Sequence, residues 1–299
     1  MRFVTALTLD EALAALADGA RPIAGGSDLM VGHRQGKSPL PGYVVAIDRI
    51  EALRRVDGGT DHLTIGALVS HHTIETHPHI AERYSALADS SSLVGSPSTR
   101  NVGTIGGNVM NASPAMDTGA PLVVLAAEVV LQSVGGTRVV PVGELWTGPG
   151  RTTARSDELC TAIQLPRPVA MSGSAYVRLE YRRAMEIAVV GAAANVALAH
   201  DGTLTGVAVA LTAVAPTIIA VTGLEGLLGR PVDAAMCAAI GELASEQARP
   251  ISDLRGSDRY RRHCVGVMAR RAAEAASRRA RGETIAVPVN RSLGIGAAS

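Results

Sequence analysis

Gly103-Thr104-Ile105-Gly106-Gly107-Asn108-Val109-Met110-Asn111-Ala112-Ser113-Pro114-Ala115-Met116-Asp117-Thr118-Gly119-Ala120-Pro121 is the stretch on which the reading turns. The glycine pair at its head removes two Cβ atoms and permits positive φ, so that successive backbone N–H groups can converge on an anion. Behind it, Asn108, Asn111, Ser113 and Asp117 alternate with stiffening prolines across an otherwise apolar region. Polar groups held at fixed angles in an apolar wall suit sugar-like hydroxyls and the edge of a flat ring. Asp117 can accept from such hydroxyls; the plainer alternative is a loop in which Asp117 caps a helix.

Upstream, a second glycine pair stands in Ala24-Gly25-Gly26-Ser27-Asp28-Leu29, directly after a predicted strand at Arg21–Ala24. A diphosphate needs such close backbone approach, and it needs no lysine where enough N–H donors line up. Either loop alone reads as a structural turn; two with matched polar followers point to a dinucleotide gripped between them. Ahead of the first, Thr8-Leu9-Asp10-Glu11 is a capping box that opens a helix to Ala17, with Gly19 at its left-handed end. Another strand is expected at Tyr43–Ile47. Leu53–Val56 and His62–Ile65 flank a hairpin turn at Asp57-Gly58-Gly59, and a helix is expected over Ile80–Asp89.

Downstream, strands are expected at Glu128–Gln132, Thr137–Val142 and Leu159–Leu165, the last stopped by Pro166 and Pro168. Then come strands at Ala175–Tyr181, Ala188–Ala199 and Leu204–Val214, followed by helices at Val232–Gln247 and Asp258–Arg281. Val265, Met268, Ala272 and Ala276 share one face of the last helix. Its arginines, Arg270, Arg271, Arg278, Arg279 and Arg281, read as a solvated face. The division is 1–55, 56–170, 171–285 and a tail, 286–299.

At 299 residues the chain is long enough for two or three packed units. One Trp, one Phe and five Tyr leave Ala, Val, Leu and Gly to build the interior. Lys plus Arg (28) against Asp plus Glu (27) argues against a basic, nucleic-acid-seeking protein. Cys160, Cys237 and Cys264 have no metal-site spacing and read as buried free thiols, so the chain carries no iron–sulfur ligand set of its own. No run reaches the roughly 20 apolar residues of a membrane span, and the N-terminus has no signal-peptide pattern; cytoplasm is the expectation.

Other signals fall away. Gly32 to Ser38 is one residue short of a P-loop, and no G-x-G-x-x-G follows a strand. His71, His72, His77 and His79 read as solvated loop histidines, since no carboxylate or thiol completes a metal set. No G-x-S-x-G marks a nucleophile.

Ile23 to Leu29 and Thr104 to Pro121 resemble the two FAD signatures of the molybdenum hydroxylase flavoprotein family, the carbon monoxide dehydrogenase and xanthine dehydrogenase type. Tyr176-Val177-Arg178 with Arg182 to Ala188 resembles a third family segment beside the isoalloxazine. Pro250 to Arg255 with Tyr260-Arg261-Arg262 resembles its C-terminal domain. The resemblance spans residues from about 20 to 280 and implies an α+β fold. Two subunits of structure would sandwich FAD in the vanillyl-alcohol-oxidase-like (PCMH-type) manner, with a small antiparallel sheet and helices after them.

The resemblance further implies that Ala24, Gly25, Gly26, Ser27, Asp28 and Leu29, preceded by Ile23, hold the diphosphate through backbone N–H groups. Gly103, Thr104, Ile105, Gly106, Gly107 and Asn108 would do the same from the other side. Val94 and Ser113 would line the site, Asp117 would hold ribityl or ribose hydroxyls, and Cys160 would present backbone to the ring. Arg178 and Ile187 would lie near the flavin, Ile187 covering the face where a reductant or acceptor approaches. Arg178 stands where many relatives have Lys, and Glu186 where many have Asp; Arg keeps the charge but not the compact shape. A cation there would raise the flavin potential, so that Arg178→Met would make it more negative. FAD is expected to be noncovalent. [2Fe–2S] clusters would reside on a small partner subunit and the molybdenum cofactor on a large one, in a dimer of heterotrimers. The rivals are a self-contained flavin oxidoreductase with its own small substrate, and a flavin-free assembly subunit.

Overall fold

The computed structural model describes residues 1–36, 39–182 and 184–295. It is a mixed helix and sheet protein organised around three principal sheets. The first is parallel, with Tyr43–Ala46 between Arg2–Thr5 and Arg21–Ile23. The helix Leu9–Ala17 covers it, its capping box closed in both directions between Thr8 and Glu11. Ala12, Leu13 and Leu16 meet Val45 and Ile47 in a small core that also takes in Leu68 and Leu159 from the next layer.

The second sheet is antiparallel, in the order Val56–Gly58, His62–Gly66, Leu159–Pro166, Glu128–Ser133, Gly136–Pro141. Ile65, Leu131, Ile163 and Leu165 turn inward from it against Ile105, Val109 and Leu122 of the overlying helices. The third sheet runs Ser172–Leu179, Val190–Leu198, Leu204–Thr212, Ile219–Ala220, all antiparallel. Its alternation is apolar on both faces. Ala175, Val177, Ala192 and Ala194 meet the helices Ala234–Gln247 and Asp258–Ala280, while Tyr176, Ala193 and Ala210 join the core of the second sheet. Those two helices cross at Gly241 and Gly266, where a Cβ on either would lie 2.7 Å from the other's carbonyl oxygen.

Several expectations shift in the structure. Residues 51–54 form a 3-10 turn rather than a strand, and the hairpin strand starts at Val56. The helix expected over Ile80–Asp89 is two, Pro78–Arg83 and Ser85–Ser91. They break at Tyr84, whose buried ring reaches the Pro166 carbonyl at 3.3 Å. The polar run after Gly103, read as loop, coils into Ile105–Asn111 and Gly119–Val124, with Pro97–Val102 before it. The arginine face of the last helix is not wholly solvated: Arg279 is buried in an ion pair with Asp89 at 2.6 Å. Nor are all the histidines loop residues: His71 opens the helix His71–Thr76 and is buried.

Candidate functional site

The chain leaves the strand Arg21–Ile23 through Ala24 and Gly25. It turns at Gly26 (φ +67°), which stands as N-cap of the helix Ser27–Arg34. A left-handed cap costs any other residue a Cβ clash, so glycine is required here. Gly26 has no side chain to cap with, and the first internal bond of the helix is Met30 N–H to the Gly26 carbonyl at 2.9 Å. The N–H groups of Gly25, Gly26, Ser27, Asp28 and Leu29 therefore have no acceptor among the described residues. Five free donors at the positive end of a helix are an anion site in waiting.

The second glycine pair has the opposite character. Ile105 N–H donates to Val69 carbonyl (3.0 Å), Gly106 N–H to Ala67 carbonyl (2.9 Å) and Asn108 N–H to Thr104 carbonyl (2.9 Å). Gly107 N–H goes to the Thr104 hydroxyl at 3.2 Å, and Gly103 N–H to Thr99 carbonyl at 2.7 Å. Of this stretch only the Thr104 amide lacks an acceptor among the described residues. The expectation that Gly103–Asn108 offers a second row of free amides is corrected: the glycines let the helix seat on the chain at Ala67, where a Cβ on Gly106 would lie 2.6 Å from Ala67 Cβ. The two loops do meet. A Cβ on Gly25 would fall 1.8 Å from the Val102 carbonyl oxygen, and one on Gly103 3.8 Å from Ser27 Oγ.

Asp117 is neither a helix cap nor open to solvent. Tyr176 Oη donates to its Oδ1 at 2.8 Å and Arg178 Nη1 to its Oδ2 at 2.7 Å. Arg178, fully buried, also donates through Nε to Glu180 Oε2 at 2.8 Å. Burial pushes the Asp117 carboxyl up despite the neighbouring guanidinium. Burial opposes charge on Arg178, but Asp117, Tyr176 and Glu180 outweigh it and hold the group cationic. The cation expected to tune a flavin is thus matched by two carboxylates, which cancels most of the field that the Arg178→Met argument relied on. For a ligand, Asp117 retains only the unused lone pairs of its oxygens.

The remaining residues spread around this centre. Ile23, Ala24 and Leu29 are half-buried beside the first loop. Asn108 accepts from Thr118 Oγ1 at 2.5 Å, and Ser113 Oγ from Ala115 N–H at 3.3 Å. Val94 is half-buried, and its neighbour Gly95 accepts from Met185 N–H at 3.0 Å. That bond brings the loop holding exposed Ile187 to the site; Arg183 of the same segment lies outside the described residues. Cys160 is buried at a β-bulge, its thiol pushed up to about 12 by burial. It joins the second loop only through Ala67, whose N–H donates to Thr161 carbonyl at 3.0 Å.

The sequence reading missed His71. Its Cδ2 is 3.3 Å from where a Gly103 Cβ would be, and its Nδ1 has no partner among the described residues. Burial, then the charge of Arg100, lowers its pKa to about 4, so the ring is neutral. The signal was present in Ser70, an N-cap after the apolar run Ala67–Val69, which placed His71 at a helix start.

The family described as FAD binding domain in molybdopterin dehydrogenase matches residues 1–168. The CO dehydrogenase flavoprotein C-terminal domain matches residues 175–276. The nicotinate dehydrogenase FAD-subunit of Eubacterium barkeri is 38% identical over 188 residues, 61% of this chain and 62% of that one, just under two thirds of its length. The carbon monoxide dehydrogenase medium chain of Afipia carboxidovorans is 32% identical over 271 residues, 90% of this chain and 93% of that one. Among solved structures, carbon monoxide dehydrogenase from Hydrogenophaga pseudoflava lacking the Mo-pyranopterin moiety superposes with a TM-score of 0.88 at 29% identity, over 93% of this chain and 98% of that one. With the fold, both halves of the chain and the glycine-capped helix in agreement, the protein belongs to the FAD-binding flavoprotein family of the molybdopterin dehydrogenases.

Proposed function

We propose that this chain is the flavin-carrying, electron-transferring subunit of a molybdenum hydroxylase, with FAD held noncovalently. The observation that carries the reading is the row of five free amides at Gly25–Leu29, on a glycine-capped helix and in a loop without bulky side chains. A dinucleotide diphosphate fits that donor set in charge and in chemistry. Bound FAD supplies a redox centre able to take electrons from iron–sulfur clusters and deliver them to an outside acceptor.

The residues of the chain bind and orient. Gly25–Leu29 hold the diphosphate, with Ile23 and Ala24 fixing the loop. The Thr104 amide, Asn108 and Ser113 offer the few polar contacts left on the opposite side, along wall residues Val94, Gly103, Ile105, Gly106 and Gly107. Asp117 and Arg178 fix the strand Ser172–Leu179 against that wall, Cys160 lends its bulged strand, and Ile187 shields the outer face. No proton need be moved from carbon here, and both buried carboxylates near the strand, Asp117 and Glu180, are committed to Arg178. That argues against the self-contained oxidoreductase, which needs a free base.

The partners in this reading are a small [2Fe–2S] subunit and a large molybdenum-cofactor subunit, as a heterohexamer of two copies of each chain in the cytoplasm. No helix among the described residues is long and apolar enough to cross a membrane. Hydroxylated substrate is selected on the large subunit. The test is to purify the native complex, separate its subunits and assay each for flavin, iron and molybdenum. Releasable FAD on this chain, with both metals on its partners, is the expected result. A lone flavoprotein turning over substrate unaided, or a chain without flavin, would overturn it.

A further inference from the structure

The helices Ser27–Arg34 and Pro97–Val102 are the two α-helices among the described residues with no buried residue at all. Helices of six and eight residues have no stability of their own in water; burial of one face must supply it. Here Met30, Val31 and Val102 are exposed instead. The two helices adjoin where Gly25 meets Val102.

The loop Tyr181–Ile187 continues from the second helix. Met185 N–H donates to the Gly95 carbonyl at 3.0 Å, and Met185 Sδ lies 3.9 Å from Thr99 Oγ1. Met185 and Ile187 are exposed as well. At the start of that loop, Tyr181 Oη donates to the Arg255 carbonyl at 2.7 Å and ties in the turn Asp253–Gly256. The turn carries Leu254 fully exposed to solvent. It is no loose tip: Asp253 and Gly256 exchange two backbone bonds at 3.1 Å, and Asp253 also pairs with Arg255 and Arg261. Segments far apart in sequence thus form one contact-linked strip of exposed apolar side chains. The free amides lie at one end and Leu254 at the other. Elsewhere exposed apolar residues such as Val134 and Val169 stand singly, as on any protein surface.

We propose that this strip is the docking surface for the electron-donating iron–sulfur subunit. The proposal rests on the flavin reading: a donor protein must approach over the rim of the cofactor site, and these segments are that rim. Charge favours the same occupant. Arg34 is exposed on the strip, and Arg182 is exposed beside a Glu186 that it pairs with at 3.4 Å. The Asp253 carboxylate is taken by Arg255 and Arg261, which leaves Asp28 as the exposed acid of the Ser27 helix. An apolar centre with a basic edge suits a partner with an apolar centre and an acidic rim.

The test uses the purified native complex with photoreactive p-benzoylphenylalanine in place of Leu254. The expected cross-link adds the mass of the iron–sulfur subunit. Leu254→Asp should lower the iron co-eluting with the chain by roughly tenfold or more, as for a truncated interface anchor, while flavin per chain stays at the wild-type value. Val134→Asp, at an isolated exposed site, should change neither. A cross-link to the molybdenum subunit or to a second copy, or full iron retention in Leu254→Asp, overturns this surface and leaves the flavin reading standing. A wild-type complex with no flavin on this chain or no iron-bearing partner would bring down both.

Discussion

Ala24–Leu29 has given away none of its loop amides, whereas Gly103–Asn108 has given away nearly all of its own. Both carry a glycine pair before a helix, and in both the glycines permit close backbone approach. In the first, the close neighbour of Gly25 is a single carbonyl on the Pro97 helix, and the helix end stays open. In the second, the neighbour is the turn at Ala67–Val69, whose carbonyls accept the very N–H groups a ligand would want. A glycine pair therefore signals proximity of backbone to something; whether that is a ligand or another strand is decided by where spare carbonyls lie.

The largest effect that sharpens this contrast is expected at Asp117. Because both its oxygens serve the protein, Asp117→Asn should destabilise even the flavin-stripped chain by about 3 kcal/mol, the cost of breaking a buried pair. Thermal unfolding with and without added FAD checks it: a loss seen only with FAD would make Asp117 chiefly a ligand residue. Next comes Gly25→Ala. Its Cβ would sit 1.8 Å from a backbone oxygen, so the loops must part, at about 1–3 kcal/mol. Bound flavin should fall to roughly a tenth; unchanged flavin content would show that the open loop is not the diphosphate site.

His71 gives a pH signature to the closed side. With its folded pKa at about 4 and its ordinary value at 6.5, the unfolded chain takes up a proton that the folded chain refuses. Stability should thus fall as pH drops from 6.5 toward 4, at up to about 1.4 kcal/mol per pH unit. His71→Gln should flatten that window in denaturation midpoints; an unchanged slope would reassign the acid sensitivity. Thr104→Ala removes the cap on Gly107 N–H and should cost about 1 kcal/mol while leaving flavin bound. Gly107→Ala is the smallest. Its Cβ crowds Thr104 Oγ1 at 2.9 Å, but alanine's helix preference over glycine offsets most of that, for a net change below about 0.5 kcal/mol. Flavin loss in either variant would mean that the second loop contacts the cofactor through its backbone after all.

What could be read in advance was what is local. The Thr8–Glu11 capping box, the hairpin at Gly59, the long final helix and the alternating strands of the third sheet depend on near neighbours, and they stand where patterning puts them. The first glycine loop was legible for the same reason: strand, glycines and helix follow one another directly. The consumption of the second loop was not, because Val69 and Ala67 come from a turn much earlier in the chain. Arg279 looked solvated because its partner Asp89 lies 190 residues away. Arg178 was read as free for the same reason: nothing in the local sequence announces that Asp117 closes on it.

Asp89 has a consequence for the order in which the chain can be finished. Its carboxylate, wholly buried, is neutralised by Arg279 at 2.6 Å and receives the Val289 N–H at 2.9 Å. Both arrive only when nearly the last of the chain has left the ribosome. Until then the N-terminal half holds an acid with no counter-ion, in a place where water is to be excluded. The flavin half therefore cannot mature on its own during synthesis: the last few dozen residues close it like a drawstring. A nascent chain interrupted before Arg279 should stay with chaperones rather than wait, preassembled, for its cofactor.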